Sequence, residues 1–541
     1  MHPCLSIDEI LRLIACELTA STGRATTVAL ACCCKSFEDP ALDALWDTQN
    51  TLLPLLKSLP GDVWDGDGCT VSVPTTRVFF FLNCLDRKSF RRLPTTLEWA
   101  RFRKYARRIR TFKGPGDSIF LSAEAFTVLQ SCAVNEPFLP NLKCLYLWDT
   151  VGEFIPFIPS FLSPATTIID IIFDEGGLPK ATFASMVTTF PALCPNLERI
   201  YLYPLPRDLI ITAAVSKFLL TTNRRTLRHF RVDSSLTEEA REVIYKLPNL
   251  CGLWVVVEGP TSLPTMVLPN LTEMDVEYDH NCDWLEGFRG ATFGRLDSII
   301  FRPKSESTRI AGFLEAFESA GLTTSTSLST FKFYTTRPWK PNYRSLLPFT
   351  QLRELEIEFS CDDGCSSTID DDIITDIARA MPKLEILLLG TEPCQTTTGV
   401  TAKGLAVLAY YCPNLSNLRI HLRVESLSTL PAISGTPRVR TAAPRRDCVL
   451  RGLHVGRIPM PKESVLMAAL TLSRVFPHLI WINSTDDDEN WAEVSGAVSL
   501  SGEIHDRSSK KHSLTTPRSN LSDTSPAATL ESDDQPRNGP E

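Results

Sequence analysis

From residue 139 onward the chain repeats one short pattern of apolar and polar positions. It reads LPNLKCLYL, CPNLERIYL, LPNLCGLWV, LPNLTEMDV, FTQLRELEI, MPKLEILLL and CPNLSNLRI, and closes on FPHLIWIN. The common core is L-x-x-L-x-L, whose last two apolar positions stand two apart, the spacing of a short strand with one buried face. With weaker copies included, the first apolar position falls at 142, 166, 197, 227, 250, 271, 296, 328, 352, 384, 415, 450 and 479. The copy starting at Thr166, with Ile169 and Ile171, is degenerate, and the copy at Leu479 is incomplete. Between the strands lie helical stretches such as DIITDIARAM and TAKGLAVLAYYC, each ending just before Pro-Lys-Leu or Pro-Asn-Leu. This alternation predicts an α/β chain of stacked units.

Successive copies lie 21 to 35 residues apart, which fits leucine-rich repeats, some of them longer than usual. The asparagine that such repeats place after the strand is missing; Thr150 stands there in the first copy. An irregular solenoid (horseshoe) over residues 139–484 is therefore expected. Its inward leucines leave the alternate strand positions on the exposed concave face. In order these are Tyr146 and Trp148, then Arg199, Tyr201 and Tyr203, then His229, Arg231 and Asp233, then Trp254. Glu273, Asp275 and Glu277 follow, then Arg302, Lys332 and Tyr334, then Glu354, Glu356 and Glu358, and finally Asn417, Arg419 and His421. The aromatic patch is expected to anchor a partner, and the two acidic triplets to orient one that carries basic residues. Strands at about 4.8 Å spacing make this face on the order of 60 Å long, a size for a protein target rather than a small molecule.

The first fifty residues follow a helical period instead. In PCLSIDEILRLIACEL, Ser6 and Glu9 form a capping box, with Leu5 and Ile10 as its hydrophobic staple. Ile7, Ile10, Leu11, Ile14 and Leu18 recur as one apolar stripe. A second helix spans the cysteines Cys32, Cys33 and Cys34; it is apolar almost all round, which predicts burial. Asp39 followed by Pro40 predicts the start of a third helix, ALDALW. Three short helices make a core that is marginal alone.

The run SIDEILRLI, then VALACCCKSF, then DPALDALW resembles the F-box in the form common in fungal proteins, and GLAVLAYYCPNLSNLRI resembles the cysteine-containing repeats of F-box proteins. The resemblance implies a substrate receptor of SCF ubiquitin ligases, in which the F-box binds the small adaptor subunit and through it a cullin. By position the adaptor-binding residues would be Leu5, Ile7, Glu9, Ile10, Leu11 and Ile14, with Leu42, Leu45 and Trp46 behind them. One departure is that Asp8 stands where the family usually has proline. The cysteines are then read as core residues.

The expected organisation is an F-box module at 3–48, a helical linker at 49–138, the repeats at 139–484 and a disordered tail at 485–541. In the linker, LEWARFRKYARRIRTFK resembles the W-x-R-F-x-x-Y-A-R-R segment of fungal F-box proteins and reads as a solvated helix. A loop, ISGTPRVRTAAPRRD, is inserted among the late repeats. The tail is rich in Ser, Thr, Asp, Pro and Lys and has no aromatic residue beyond Trp491. Thr516-Pro517 and Ser525-Pro526 within it are candidate phosphate acceptors.

Composition narrows the function classes. A net charge of −8 argues against a nucleic-acid partner. No apolar run is long enough for a membrane span, and Asp8, Glu9, Arg12 and Glu17 interrupt any signal sequence, so a cytoplasmic or nuclear protein is expected. Seventeen cysteines without an export signal read as reduced thiols. Cys361 and Cys365 lack a second ligand pair for zinc, and neither metal nor cofactor is expected. No nucleophile elbow, P-loop, zinc-protease or EF-hand motif occurs, so the chain is expected to act without catalysis of its own.

Overall fold

The architecture is given by a computed structural model, which describes residues 7–514 apart from 22, 65–88, 116–121, 134–135, 151, 175–177, 259–265, 279–290, 304–313, 315–327, 336–340, 360–368, 391–398, 429–447, 456–458 and 485–487. Leu5, Ser6, Cys361, Cys365, Thr516, Ser525 and the loop at 433–447 lie outside the described residues. The fold is mixed α/β, built on one long open parallel sheet of fifteen strands.

Thirteen of those strands are the ones the repeated pattern predicts. They are β3 (Cys144–Thr150), β4 (Ile168–Phe173), β5 (Arg199–Tyr203), β6 (His229–Ser235), β7 (Gly252–Val257), β9 (Glu273–Tyr278), β11 (Ser298–Pro303), β12 (Thr330–Tyr334), β13 (Glu354–Glu358), β14 (Ile386–Leu389), β15 (Asn417–Arg419), β16 (Gly452–His454) and β17 (Trp481–Asn483). Each opens two residues after the first apolar position of its copy. Beside the sheet, β8 (Val267–Leu268) and β10 (Thr292–Phe293) pair with each other.

Two further strands lie upstream, β1 (Thr48–Gln49) and β2 (Thr111–Pro115). The sheet therefore begins before residue 139. Ile109 and Phe112, both fully buried, occupy the first two apolar positions of an unrecognised copy whose third is Gly114.

The strands stack in register. Phe112 pairs with Leu145, Leu145 with Ile169, and the row continues through Phe230, Met274, Phe331 and Leu387 to Leu453 and Ile482. Helices between the strands add Phe183, Val187 and Phe190, Ile211, Val215 and Phe218, and Leu405 and Leu408 to the same core. Those helices start where the sequence supplies a cap. Ser122, Asp208, Thr237, Asp370 and Thr401 each accept a backbone N–H from two or three residues ahead, satisfying donors the first turn leaves free.

Units are also bridged by polar side chains. The asparagine of Pro-Asn-Leu reaches back to the preceding unit: Asn141 donates to the Arg107 carbonyl at 2.7 Å, Asn249 to Arg225 at 2.9 Å and Asn270 to Pro248 at 2.7 Å. The cysteines just before the first leucine of a unit are packed rather than reactive. Cys412 and Cys448 are buried and lie within 3.6–3.7 Å of the Met381 and Leu415 carbonyls of the preceding units. Burial pushes the Cys194 and Cys412 thiols up to about 12.

Both edges of the sheet are closed. At one end, α3 (Lys35–Asp47) runs directly into β1, and Arg24 donates to the Thr48 carbonyl at 3.0 Å. At the other, the helix Glu489–Leu514 packs on β17 and buries Trp491, Val494 and Val498. Its Ser495 hydroxyl accepts the Ile482 N–H at 3.0 Å. This corrects the expectation of disorder from residue 485. The spacing i, i+3, i+7 makes an apolar stripe inside a polar segment, and an open edge strand supplies the surface that stripe needs.

The N-terminal module also departs from expectation. It consists of α1 (Asp8–Ser21), α2 (Arg24–Cys33) and α3, which starts at Lys35 after the cap residue Cys34 and carries Pro40 inside. Only Thr27 of α2 is buried, and Cys32 and Cys33 are exposed. The cysteines are therefore not core residues here, because a module this small packs one side of α2 and leaves the other bare. The linker helix Thr96–Ala106 is amphipathic rather than solvated, burying Trp99, Phe102 and Ala106. Among the described residues no helix is long and apolar enough to cross a membrane.

Replacing Trp491 with alanine is expected to cost about 3–5 kcal/mol. Native-state hydrogen exchange should show the loss confined to β15–β17; uniform loss across all strands would refute a local edge cap.

Candidate functional site

The face of the sheet opposite the aliphatic row carries the sequence-predicted recognition residues, and register places them side by side. One rung runs Tyr146, Asp170, Tyr201, Arg231, Trp254, Asp275. It continues through Ile300, Lys332, Glu356, Leu388 and Arg419 to His454.

The aromatic residues gather at β3–β7. Arg231 stacks over the Trp254 ring at 4.0 Å and lies 6.0 Å from the Tyr201 ring, while Arg199 lies 5.7 Å from Tyr201. The Tyr203 and Trp254 rings are 5.4 Å apart. Tyr203 and Trp148 are well exposed, but Trp254 is only 6% exposed, covered from its own chain. It is therefore not the open anchor the sequence pattern implied. Its indole Nε1 is buried without a hydrogen-bond partner. Next to it, Gly252 makes room for the His229 ring: an added Cβ would meet Nδ1 at 2.5 Å. The result is a recess of about 170 Å³ lined by Tyr201, Arg231, Gly252, Trp254, Glu273, Asp275 and Ile300, among others.

Five of the six acidic-triplet carboxylates, all but the exposed Glu273, meet a cation of the chain. Arg302 pairs with Asp275 at 3.1 Å and covers the Tyr334 ring at 5.1 Å. Arg207, before the helix Leu209–Thr221, pairs with Glu277 and with Glu258 at 3.0 Å. Lys332 sits 2.7 Å from Glu354 and 3.4 Å from Glu356, which also accepts the Tyr334 hydroxyl at 2.7 Å. Arg419 is 3.6 Å from Glu358. Glu277 and Glu356 are buried as well. These carboxylates are a lattice paired within the chain, not a free acidic ladder: parallel register sets Asp275, Glu354 and Glu356 within reach of a cation on the adjacent strand, Arg207 reaches Glu277 from the loop before a helix, and Arg419 reaches Glu358 from two strands away. Burial raises the Asp275 carboxyl against the pull of Arg302, and raises the Tyr334 hydroxyl beside Glu356.

The adaptor-binding residues split into two sets. Leu11 is in the core of the module, and Leu42, Leu45 and Trp46 are half-buried, Trp46 stacking on Tyr105 at 4.8 Å. Ile7, Glu9 and Ile14 are exposed, Ile10 partly so, and Leu13 and Val28 join them. The module is fastened to the sheet: Asp43 of α3 pairs with Arg12 of α1 at 3.0 Å and with Arg108, which also pairs with Asp39.

Arg207, Asp170 and Gly252 take part in this geometry and were not singled out by the pattern. Aligning the copies by their first apolar position would have set Gly252 beside His229 and Asp170 beside Tyr201. Arg207 lies outside the repeated motif and gives no such signal. Among the described residues no group of three or more His, Cys, Asp or Glu is placed to hold a metal ion. In sequence comparison the chain matches no model of a known protein family and no curated protein.

Near the other end of this face His421 is buried beside Gly390, whose φ of +88° is open to glycine and whose missing side chain leaves space for the imidazole. Burial lowers its pKa to about 4 from 6.5. The unfolded chain therefore takes up this proton first, and stability falls as pH drops from 6.5 towards 4, by roughly 3 kcal/mol. His421→Gln should flatten that dependence in urea titrations at several pH values; equal slopes for both proteins would refute it.

Proposed function

We propose that the chain is the substrate-recognition subunit of an SCF-type ubiquitin ligase, an F-box protein with leucine-rich repeats. The N-terminal module would hold the cullin adaptor, and the polar face of the sheet would hold a target protein. The observation that carries this reading is the bare apolar flank of the module. Ile7 is 45% exposed, Leu13 71%, Ile14 37% and Val28 49%, and Cys32 and Cys33 of the same helix as Val28 are also exposed. A three-helix unit that fails to cover its own apolar side chains calls for a second protein, and its sequence resembles a module that docks an adaptor. The unit period of 21 to 35 residues and the open parallel sheet are compatible with the repeats the reading requires.

The reading assigns no chemistry to this chain. Its contribution is proximity, since holding a target near the ligase raises the effective concentration of the target's lysines. A second reading, an interaction scaffold outside a ligase, is favoured by Asp8, which replaces the family's proline and is 2.8 Å from Arg12.

The test is binding of the full chain to the cullin adaptor, compared with the double variant Ile7→Asp, Ile14→Asp. Both positions are exposed, so the module should keep its fold, as circular dichroism would verify; Leu11 would be the wrong choice because it is buried. Carboxylates forced into an apolar contact should weaken binding by about 3 kcal/mol, over a hundredfold in Kd. Failure of the unmutated chain to bind leaves the scaffold reading.

A further inference from the structure

We propose that the groove between the helices Lys180–Leu193 and Leu209–Thr221 docks an amphipathic helix of a partner protein, an acidic residue of which pairs with Lys217. This docking surface lies on the helical side of the sheet, opposite the polar face, and does not depend on adaptor binding.

The outer faces of these two helices lack the charge that a solvated helix carries. Lys180 and Lys217 are the only charged side chains in their 14 and 13 residues. By contrast, the helix Asp371–Ala380 turns Asp372 and Arg379 to solvent, and Glu238–Ile244 turns out Glu238, Glu239 and Glu242. At the groove Leu209 is 86% exposed and Ile210 51%. A helix that is apolar on every side calls for a cover.

The shape of the groove suits a helix. It measures about 540 Å³, with Ala184 and Thr188 on one wall and Leu209, Ile210, Ala213 and Lys217 on the other. From Leu209 to Lys217 it runs about 12 Å, the length of two helical turns. Thr188 already gives its hydroxyl to the Ala184 carbonyl at 2.9 Å. An extended segment would leave backbone N–H and C=O groups unpaired against this wall, whereas a helix satisfies its own. Small side chains between neighbouring helices let a third seat its apolar ridge there.

Charge selects the partner. Lys180 pairs at 2.7 Å with Asp208, which also caps the second helix, so that end of the groove is neutral. At the other end, among the described residues, no carboxylate pairs with Lys217. A second copy of this chain, docked by the same face, would bring only Asp208, already bonded to Lys180 and to the Ile210 N–H. A basic helix would be repelled by Lys217, and an acidic one completes the pair.

The experiment selects on the full chain from a library of helical peptides of about 18 residues, with leucine fixed at i, i+3, i+4 and i+7 and the other positions random. Fluorescence anisotropy then measures the winners. Acidic residues should be enriched beside the leucine stripe, and exchanging them for lysine should weaken binding about fivefold. The double variant Leu209→Asp, Ile210→Asp should weaken it about a hundredfold. Both positions are exposed in a first helical turn, where aspartate is tolerated, and thermal melts verify the fold. Lys217→Glu should reverse the charge preference, so that the lysine-exchanged peptide binds better than its acidic parent. No peptide selected, no acidic preference, or equal binding by the double variant would each overturn the proposal. So would sedimentation showing that the chain dimerises and that the double variant does not, because a second copy would then be the occupant.

Discussion

The fifteen strands of the long sheet are placed by the parallel backbone ladder and the single row of apolar side chains that it aligns. One buried residue per strand, from Phe112 to Ile482, faces the same side in matched register. A slip of one residue would turn each such side chain to the opposite face, so the row itself fixes the register. Once it is fixed, the polar residues one position along are fixed too. The stacking of Arg231 on Trp254 and the pairing of Lys332 with Glu354 and Glu356 follow from the same alignment that buries the leucines.

A long parallel sheet of this kind has two unpaired ends, and their closure shapes both termini. Arg24 and α3 deal with one, and Ser495 with the Trp491 stripe deals with the other. Neither device repeats, since an edge occurs only once at each end. Units inside the array are joined instead by recurring bonds such as those from Asn141, Asn249 and Asn270. Stability should accordingly behave as a sum over neighbouring units, with the caps limiting fraying at the ends.

This division explains what the sequence revealed. Thirteen strands were legible because each repeats the same three apolar positions, and even the degenerate copy at Thr166 kept Ile169 and Ile171. β2 was not, because Gly114 occupies the third position and Ile109 and Phe112 replace leucine. The helix Glu489–Leu514 was hidden for a different reason: three buried residues among polar neighbours look disordered until an edge exists for them to cover. At the site, sequence gave the composition of the polar face but not its pairings. Glu356 looked like free charge because Lys332 and Tyr334 meet it only across strands, and Trp254 looked exposed because Arg231 and Tyr203 cover it from neighbouring strands.

The join between the helical module and the sheet bears on the proposed role. Proximity is effective when the two held partners keep a fixed relation, and a flexible tether dilutes it. Here α3 continues into β1 without an intervening loop, Arg108 binds Asp39 and Asp43 together, and Trp46 stacks on Tyr105. A docked adaptor would then stand in a set orientation to the first strands of the polar face. The aromatic cluster at β5–β7 lies three to five strands along from β2, on the order of 20 Å at the spacing of parallel strands. On the proposed reading, a target held on those strands would be presented close to the docking module and not at the far end of the sheet. On that reading, the arrangement would favour modification of lysines that flank the held segment.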